Sequence, residues 1–532
     1  MLVADLLTTT AKRTPEAPAI KYRAATLSYG AAAAMASDLS RALRAEGLER
    51  GERVAVYLAK QLETVVAIFA ASLAGGVFVP VNPALKARQV GHILRDCGVG
   101  MLVTSGDRLS GLSEELARCP DVRRIVVVGE MPAAPENFPC PVIDWQALIA
   151  GGRDGGPAPH RVIDADMAAI LYTSGSTGLP KGVVLSHRNI VGGARSVTQY
   201  LENTSADRIL AVPPLSFDYG LNQIMCAFLS GCEVVLMNYL FPRDVIKLVA
   251  AERITGLPCV PPVWIQLAKQ DWPDSVGQHL RYATSTGGRM PRPVVDALRT
   301  QLPDTRLFLM YGLTEAFRST YLPPEEIEQR PDSIGKAIPN AEILVVDADG
   351  RLCGPGEPGE LVHRGALVAM GYWNDPERTA ERYRPAPGVP GELPLGEIAV
   401  WSGDIVTMDD DGFLYFVGRR DDMIKTSGYR VSPIEVEETL YASGLVGEVA
   451  AVGAPHQELG EVIVVFVVGG CGGADSDAAF DQDRLMDFCR REMPTYMVPH
   501  AILVCDSLPR NPNGKVDRPA LTERARPMFS QG

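Results

Sequence analysis

No C-x-x-C pair occurs in this chain of 532 residues; its ten cysteines stand singly at Cys97, Cys119, Cys140, Cys226, Cys232, Cys259, Cys353, Cys471, Cys489 and Cys505. That spacing encodes neither a zinc ribbon nor a thioredoxin-like redox pair. Runs of lysine and arginine are missing too. The balance of 51 basic against 64 acidic residues leaves a net charge of −13, which disfavours nucleic-acid backbones and anionic membranes. No apolar run is long enough to span a bilayer. The most apolar window, Val65 to Val81, is broken by Ser72, Gly75-Gly76 and Pro80, and reads as a buried helix, a turn and a strand. The amino terminus carries Asp5 and no basic stretch ahead of its short apolar run, unlike a secretory leader. These absences predict a soluble, reduced, cytoplasmic protein without a membrane span or a nucleic-acid partner.

What is present points to an α/β fold. Apolar residues make up 46% and charged residues 22% of the chain, as in ordinary globular proteins. Strand-like runs such as Arg53-Val-Ala-Val-Tyr-Leu, Phe78-Val-Pro-Val, Met101-Leu-Val-Thr and Arg124-Ile-Val-Val-Val alternate with helical stretches. That alternation implies βαβ units and largely parallel sheets. Gly151 to His160 reads as a connector. Between about Gly335 and Phe416 short strands and turns predict a small antiparallel or barrel-like unit, and a compact α+β module follows Gly418. The expected architecture is a large amino-terminal body of parallel βαβ sheets plus that small unit, then a mobile α+β domain.

The chemistry concentrates in Ile170-Leu-Tyr-Thr-Ser-Gly-Ser-Thr-Gly-Leu-Pro-Lys-Gly-Val-Val-Leu-Ser-His. An apolar strand runs into six small residues, then Lys181, then a second apolar run. Glycines let the backbone approach a phosphate, hydroxyls and N–H groups donate to it, and the lysine adds charge. Three other motifs are ruled out. A Walker loop needs Gly-Lys-Ser/Thr, but Lys181 stands between Pro180 and Gly182. Neither G-x-S-x-G nor G-x-G-x-x-G occurs there. The loop is a phosphate cradle of another kind.

Tyr172-Thr-Ser-Gly-Ser-Thr-Gly-Leu-Pro-Lys-Gly-Val resembles the signature of the AMP-forming adenylating enzymes, which include acyl-CoA synthetases, nonribosomal peptide synthetase adenylation domains and luciferases. Further motifs follow in that family's order: Ser285-Thr-Gly-Gly-Arg, Tyr311-Gly-Leu-Thr-Glu, Gly371-Tyr-Trp-Asn-Asp-Pro-Glu-Arg-Thr, Ser402-Gly-Asp, Gly418-Arg-Arg-Asp-Asp-Met-Ile-Lys and Asn511-Pro-Asn-Gly-Lys. The resemblance covers nearly the whole chain. It implies that a carboxylate attacks the α-phosphate of ATP, releasing pyrophosphate, and that a thiol then displaces AMP from the acyl-adenylate. It further implies that Thr173, Ser174, Gly175, Ser176, Thr177, Gly178 and Lys181 hold the β- and γ-phosphates. Thr314 would contact the α-phosphate and Glu315 would hold Mg2+. Gly287, Gly288 and Tyr311 would flank the adenine, Asp404 would accept from the ribose hydroxyls, and Arg419 would lie beside them. Lys515 would be the catalytic lysine of the first step. The implied domains are 1–419, a hinge at 420–421 around Asp421, and 422–532, with Gly428 entering the site in the thiol-transfer pose.

After Val212 the sequence departs from the fatty and aryl acyl-CoA synthetase pattern. Pro213-Pro-Leu-Ser-Phe-Asp-Tyr-Gly places Phe217 where those enzymes often carry histidine. Ser216-Phe-Asp looks like the amino-acid-adenylating branch, which implies that Asp218 pairs with a substrate ammonium. The expected acceptor is CoA or the phosphopantetheine of a separate carrier protein. An amino acid is the favoured substrate. A general acyl-CoA synthetase for a non-amino acid, of the kind found with exosortase systems, is the alternative. A luciferase-like oxygenase and an inactive binding homologue complete the set. The joint retention of Lys181, Glu315, Asp404 and Lys515 argues against inactivity.

Overall fold

The computed structural model describes residues 1–153, 155–173, 180–390, 392, 396–420, 422–426, 429–456, 459–469, 480–511 and 514–529. The chain divides into two compact units. The first comprises Met1–Pro331, Gly335–Ile343 and His363–Val400; the second comprises Asp332–Ile334, Leu344–Val362 and Trp401–Gly532.

In the first unit, one sheet runs in the order Gly371–Tyr372, Lys181–Ser186, Met167–Thr173, Val77–Pro80, Arg53–Tyr57, Val99–Ser105, Arg124–Val128, Val142–Asp144. Its strands from Met167–Thr173 onwards are parallel, as βαβ alternation predicts. The side chains explain why such strands are apolar throughout. Along Arg53–Tyr57, Val54 and Val56 enter one core while Ala55 and Tyr57 enter another, and Phe78 opposes Val77 and Val79 in the same way. Period-two alternation with both faces covered demands hydrophobic residues on both sides. The helix Leu62–Leu73, buried from Thr64 to Ser72, is apolar all round for the same reason. The window Val65 to Val81 is thus a helix, a turn at Gly75 and the strand Val77–Pro80. No helix among the described residues is long and apolar enough to cross a membrane.

A second sheet of this unit contains the parallel strands Pro18–Tyr22, Glu233–Leu236, Arg208–Ala211, Gly256–Cys259, Tyr282–Ser285 and Arg306–Tyr311. Thr320–Leu322 then returns antiparallel to the last of these. The expected connector from Gly151 begins differently. Gly151 and Gly152 belong to the helix Trp145–Arg153. A Cβ on Gly152 would lie 2.0 Å from the Asp38 carbonyl oxygen, so this glycine serves close helix packing rather than linker freedom. Arg41 Nε seals the contact by donating to the Gly152 carbonyl at 2.7 Å.

The second unit is built around the antiparallel pair Val446–His456 and Gly460–Gly469, with Ala501–Val504 added parallel. Alternation again splits the residues. Val449, Ala451, Ile463 and Val465 face a core shared with the helices Pro433–Ala442 and Gln482–Glu492. Ala450, Val452, Val464 and Phe466 face one shared with the helix Arg518–Ala525. This is the small α+β module expected after Gly418. Ile398–Met408 and Leu414–Arg419 pair antiparallel from Asp404 opposite Arg419 to Met408 opposite Leu414. Asp421 and Gly428, assigned to the hinge and the thiol-transfer pose, lie outside the described residues.

Candidate active site

Two adjacent parallel strands of the first unit set up the site. Tyr282–Ser285 and Arg306–Tyr311 run in register, with Ser285 opposite Leu309. Thr286-Gly287-Gly288 and Gly312-Leu313-Thr314-Glu315 therefore leave the sheet at the same edge, the carboxyl ends of parallel strands, where ligands bind in open α/β sheets. Gly287 sits at φ +89°, which favours glycine in that turn. Tyr311 ends its strand and accepts the Ser319 N–H at 3.2 Å. Thr314 is buried in the 3₁₀ turn Thr314–Ala316.

The first sheet supplies the opposing cation. Thr173 pairs with Lys181 across the antiparallel strands Met167–Thr173 and Lys181–Ser186. Ser174, Gly175, Ser176, Thr177 and Gly178 lie outside the described residues. Tyr372 is brought alongside by its pairing with Val183. Lys181 Nζ stands 2.9 Å from the Tyr372 hydroxyl, 3.3 Å from Glu315 Oε1 and 4.1 Å from the centre of the Tyr372 ring. The Tyr372 hydroxyl donates to the same Glu315 oxygen at 2.6 Å. Burial pushes the Glu315 carboxyl up, but the Lys181 ammonium and the Tyr372 hydroxyl outweigh it and hold the group below its ordinary value. Glu315 is thus an ionised carboxylate kept in a half-buried place. The buried Thr173 Oγ1 has no hydrogen-bond partner among the described residues. Tyr372 was not legible as a member of this cluster. Its motif stands out, but strand pairing, not spacing, puts it there.

Phe217 and Asp218 stand at the start of the helix Asp218–Ser230. Asp218 is buried and its Oδ1 accepts the Tyr219 N–H at 2.8 Å. Two devices hold the approach to this helix. A Cβ on Gly220 would lie 2.0 Å from the Pro214 carbonyl oxygen, so only glycine lets the helix pack on the Pro213-Pro214 turn. Buried Lys60 donates to the carbonyls of Ala211, Val212 and Pro213, and burial pulls its ammonium down to about 7. Sequence alone did not mark Lys60, since a single lysine usually reads as a solvated charge.

Beyond Glu315 the chain bends sharply. Phe317 adopts φ +57° and ψ −43°, a strained conformation for a bulky residue. Its ring packs so tightly that a Cβ on Gly193 would stand 2.2 Å from Phe317 Cδ1. The bend sends the following residue, Arg318, into the interior at 2% exposure.

The second unit holds the other expected site residues. Arg419 Nε lies 3.0 Å from Asp404 Oδ1. The two are opposed across the antiparallel pair, with Asp404 buried. Lys515 is exposed on a tight turn closed by the bridge between Arg510 and Val516. Asn511 builds that turn. Its Oδ1 accepts the Lys515 N–H at 3.0 Å, its N–H donates to the Lys515 carbonyl at 2.8 Å, and its carbonyl accepts from Gly514 at 2.9 Å.

A sequence profile described as "AMP-binding enzyme" matches residues 7–373, and one described as "AMP-binding enzyme C-terminal domain" matches residues 435–515. The chain is 29% identical over 530 residues to Gramicidin S synthase 2 of Aneurinibacillus migulanus, covering 98% of this chain and 11% of that protein. It spans about a tenth of the length of such peptide synthases. It is 31% identical over 518 residues to the long-chain-fatty-acid–CoA ligase of Escherichia coli O157:H7, covering 90% of this chain and 86% of that one. Among solved structures it is similar to o-succinylbenzoate CoA synthetase from Bacillus subtilis in complex with its acyl-adenylate intermediate. That match has a TM-score of 0.80 at 26% identity over 97% of each chain. The same synthetase is also known with ATP and a magnesium ion.

Proposed function

The chain belongs to the AMP-binding enzyme family, and we propose that it acts as an ATP-dependent acid–thiol ligase. The observation that carries this reading is the contact of Lys181, Tyr372 and Glu315 beside Thr173. An ammonium at the end of a phosphate loop, next to a carboxylate kept ionised, suits a triphosphate with its divalent cation. In the first step a substrate carboxylate oxygen bonds to the α-phosphorus of ATP, the bond to the bridging oxygen breaks, and pyrophosphate leaves. In the second, a thiol sulfur attacks the acyl carbon, the carbon–oxygen bond to AMP breaks, and the thiol proton passes to solvent. Both steps gather negative charge, so the residues must position and neutralise.

Lys181, Thr173 and the loop from Ser174 to Gly178 take the β- and γ-phosphates, and Thr314 takes the α-phosphate. Glu315 fits Mg2+ as an ionised, half-buried oxygen donor; when bound, the ion would neutralise charge on the phosphate oxygens. Gly287, Gly288 and Tyr311 flank the adenine, and Asp404 accepts from the ribose with Arg419 beside it. Lys515 bridges the substrate carboxylate and the α-phosphate. Residues 422–532 swing about Asp421 to bring Gly428 in for thiol transfer. The acid is an α-amino acid whose ammonium meets Asp218, with Phe217 lining its pocket; Asp218 offers a carboxylate at the start of its helix. The acceptor is CoA or a carrier protein's phosphopantetheine. A non-amino carboxylic acid is the second reading, favoured by the likeness to the fatty-acid–CoA ligase.

The test is exchange of labelled pyrophosphate into ATP across a panel of amino and carboxylic acids. Acid-dependent exchange that disappears in Glu315→Gln supports the reading. No exchange with any acid, from protein that still binds ATP, refutes it.

A further inference from the structure

Arg318 is buried at 2% exposure, three residues beyond Glu315. Its Nη1 donates to Thr286 Oγ1 at 3.3 Å, and its guanidinium lies 5.1 Å from the centre of the Tyr219 ring. Nε and Nη2 find no hydrogen-bond partner among the described residues. A guanidinium remains protonated wherever it is placed, and burying it without a counter-ion is strongly unfavourable. Elsewhere in the same unit the half-buried Arg281 is paired on both prongs: it meets both oxygens of Asp207, at 3.1 and 2.9 Å, and the Leu201 carbonyl at 2.7 Å.

The position of Arg318 and the geometry of its open donors say what it serves. Thr286 directly precedes Gly287-Gly288, Tyr219 directly follows Asp218, and Glu315 lies on the same turn. Three segments assigned to the reactants therefore converge on it. Nε and Nη2 share one edge of the guanidinium, and their N–H bonds are the parallel pair that grips both oxygens of a carboxylate. Thr286 fixes the opposite edge and Tyr219 carries the flat face, so the fork is oriented by the protein itself.

We infer that the acid activated by this chain carries a second carboxylate, which docks on Nε and Nη2 of Arg318 while the first is adenylated. This rests on the ligase reading above and narrows its substrate to dicarboxylic acids. Acidic amino acids are the members that would also use Asp218.

The test is pyrophosphate exchange by the full chain with matched pairs: succinate and succinamate, glutarate and glutaramate, aspartate and asparagine, glutamate and glutamine. Wild type should favour at least one diacid over its amide by ~10²-fold or more in kcat/KM, because buried donors left unpaired penalise the amide. Arg318→Gln should abolish that preference, Arg318→Lys should keep part of it, and the KM for ATP should not move. If Arg318→Gln does not fold, wild-type selectivity and Arg318→Lys still decide the matter. Wild-type turnover of amides or neutral acids at the diacid rate overturns the inference and leaves the ligase reading standing. So does an equal loss for all acids, or a raised KM for ATP, which would assign Arg318 to a nucleotide phosphate. Absence of exchange with every acid overturns the ligase reading itself.

Discussion

Arg318 and Arg518 each carry a guanidinium below the surface of their own unit, and the two are treated in opposite ways. Arg518 Nη1 and Nη2 meet the two oxygens of Glu437 at 2.6 and 3.0 Å, and Nη1 also reaches the Ala451 carbonyl at 2.7 Å. Glu437 returns to the same segment by accepting the Ala451 N–H at 2.7 Å. Burial works against the charge on Arg518, but Glu437 outweighs it and raises its proton affinity. Arg318 is more deeply buried and, among the described residues, has one hydrogen bond and one aromatic face. A cation held by both oxygens of a carboxylate ties helix to sheet. A cation with a parallel pair of donors to spare answers to a ligand. Burial alone does not separate these roles; the count of satisfied donors does.

The sharpest way to break that contrast is to remove the partners. Glu437→Ala should destabilise the second unit by ~3 kcal/mol, since it strands a largely buried charge. Arg318→Met should cost less than ~1 kcal/mol or stabilise, because it removes a charge without counter-ion. Urea denaturation of both variants reads the difference, and equal losses would erase the distinction. Of comparable size is Lys515→Ala, which should slow adenylate formation by ~10²–10³, or about 2.7–4 kcal/mol. Transfer from a preformed adenylate to a thiol should be nearly unchanged; equal loss in both half-reactions would mean a folding defect.

Asp218→Ala comes third. It should lower the preference for amino over des-amino acids by ~10²-fold, about 2.7 kcal/mol. Unchanged selectivity would make Asp218 structural and favour the general acyl-CoA ligase. The smallest effect is on acid stability. Because the Glu315 carboxyl is held below its ordinary value, its contribution is fully present above the unfolded carboxylate pKa and is lost as pH falls through the lower folded one. The melting-temperature gap between wild type and Glu315→Gln should therefore shrink on that acid limb. A gap that is constant from pH 6 to pH 3 would contradict the assignment.

The parts legible in the sequence were those written locally. The runs at Arg53–Tyr57, Val77–Pro80 and Arg124–Val128 announce strands because two-faced burial leaves no room for polar residues. The loop ending at Lys181 and the turn at Glu315 declare themselves by composition and order. Other features depend on contacts between distant residues. Tyr372 reaches Glu315 across 57 residues through strand pairing. Lys60 holds carbonyls about 150 residues away. Gly152 looked like linker and is packing. Arg318 follows a familiar motif, yet nothing in its neighbours signals the bend that buries it.

That bend also constrains how the protein can change over generations. At Gly193 any larger residue would place its Cβ 2.2 Å from Phe317 Cδ1, so this position cannot drift while the ring remains. Phe317 must shrink first, and trimming a buried phenylalanine to alanine costs ~3–5 kcal/mol. The positive φ at 317 offers one low-strain exit, through glycine itself. Lineages descending from this sequence therefore meet a one-way order of substitution, 317 before 193. The direction of Arg318 is inherited more stubbornly than the identity of the residue occupying its place.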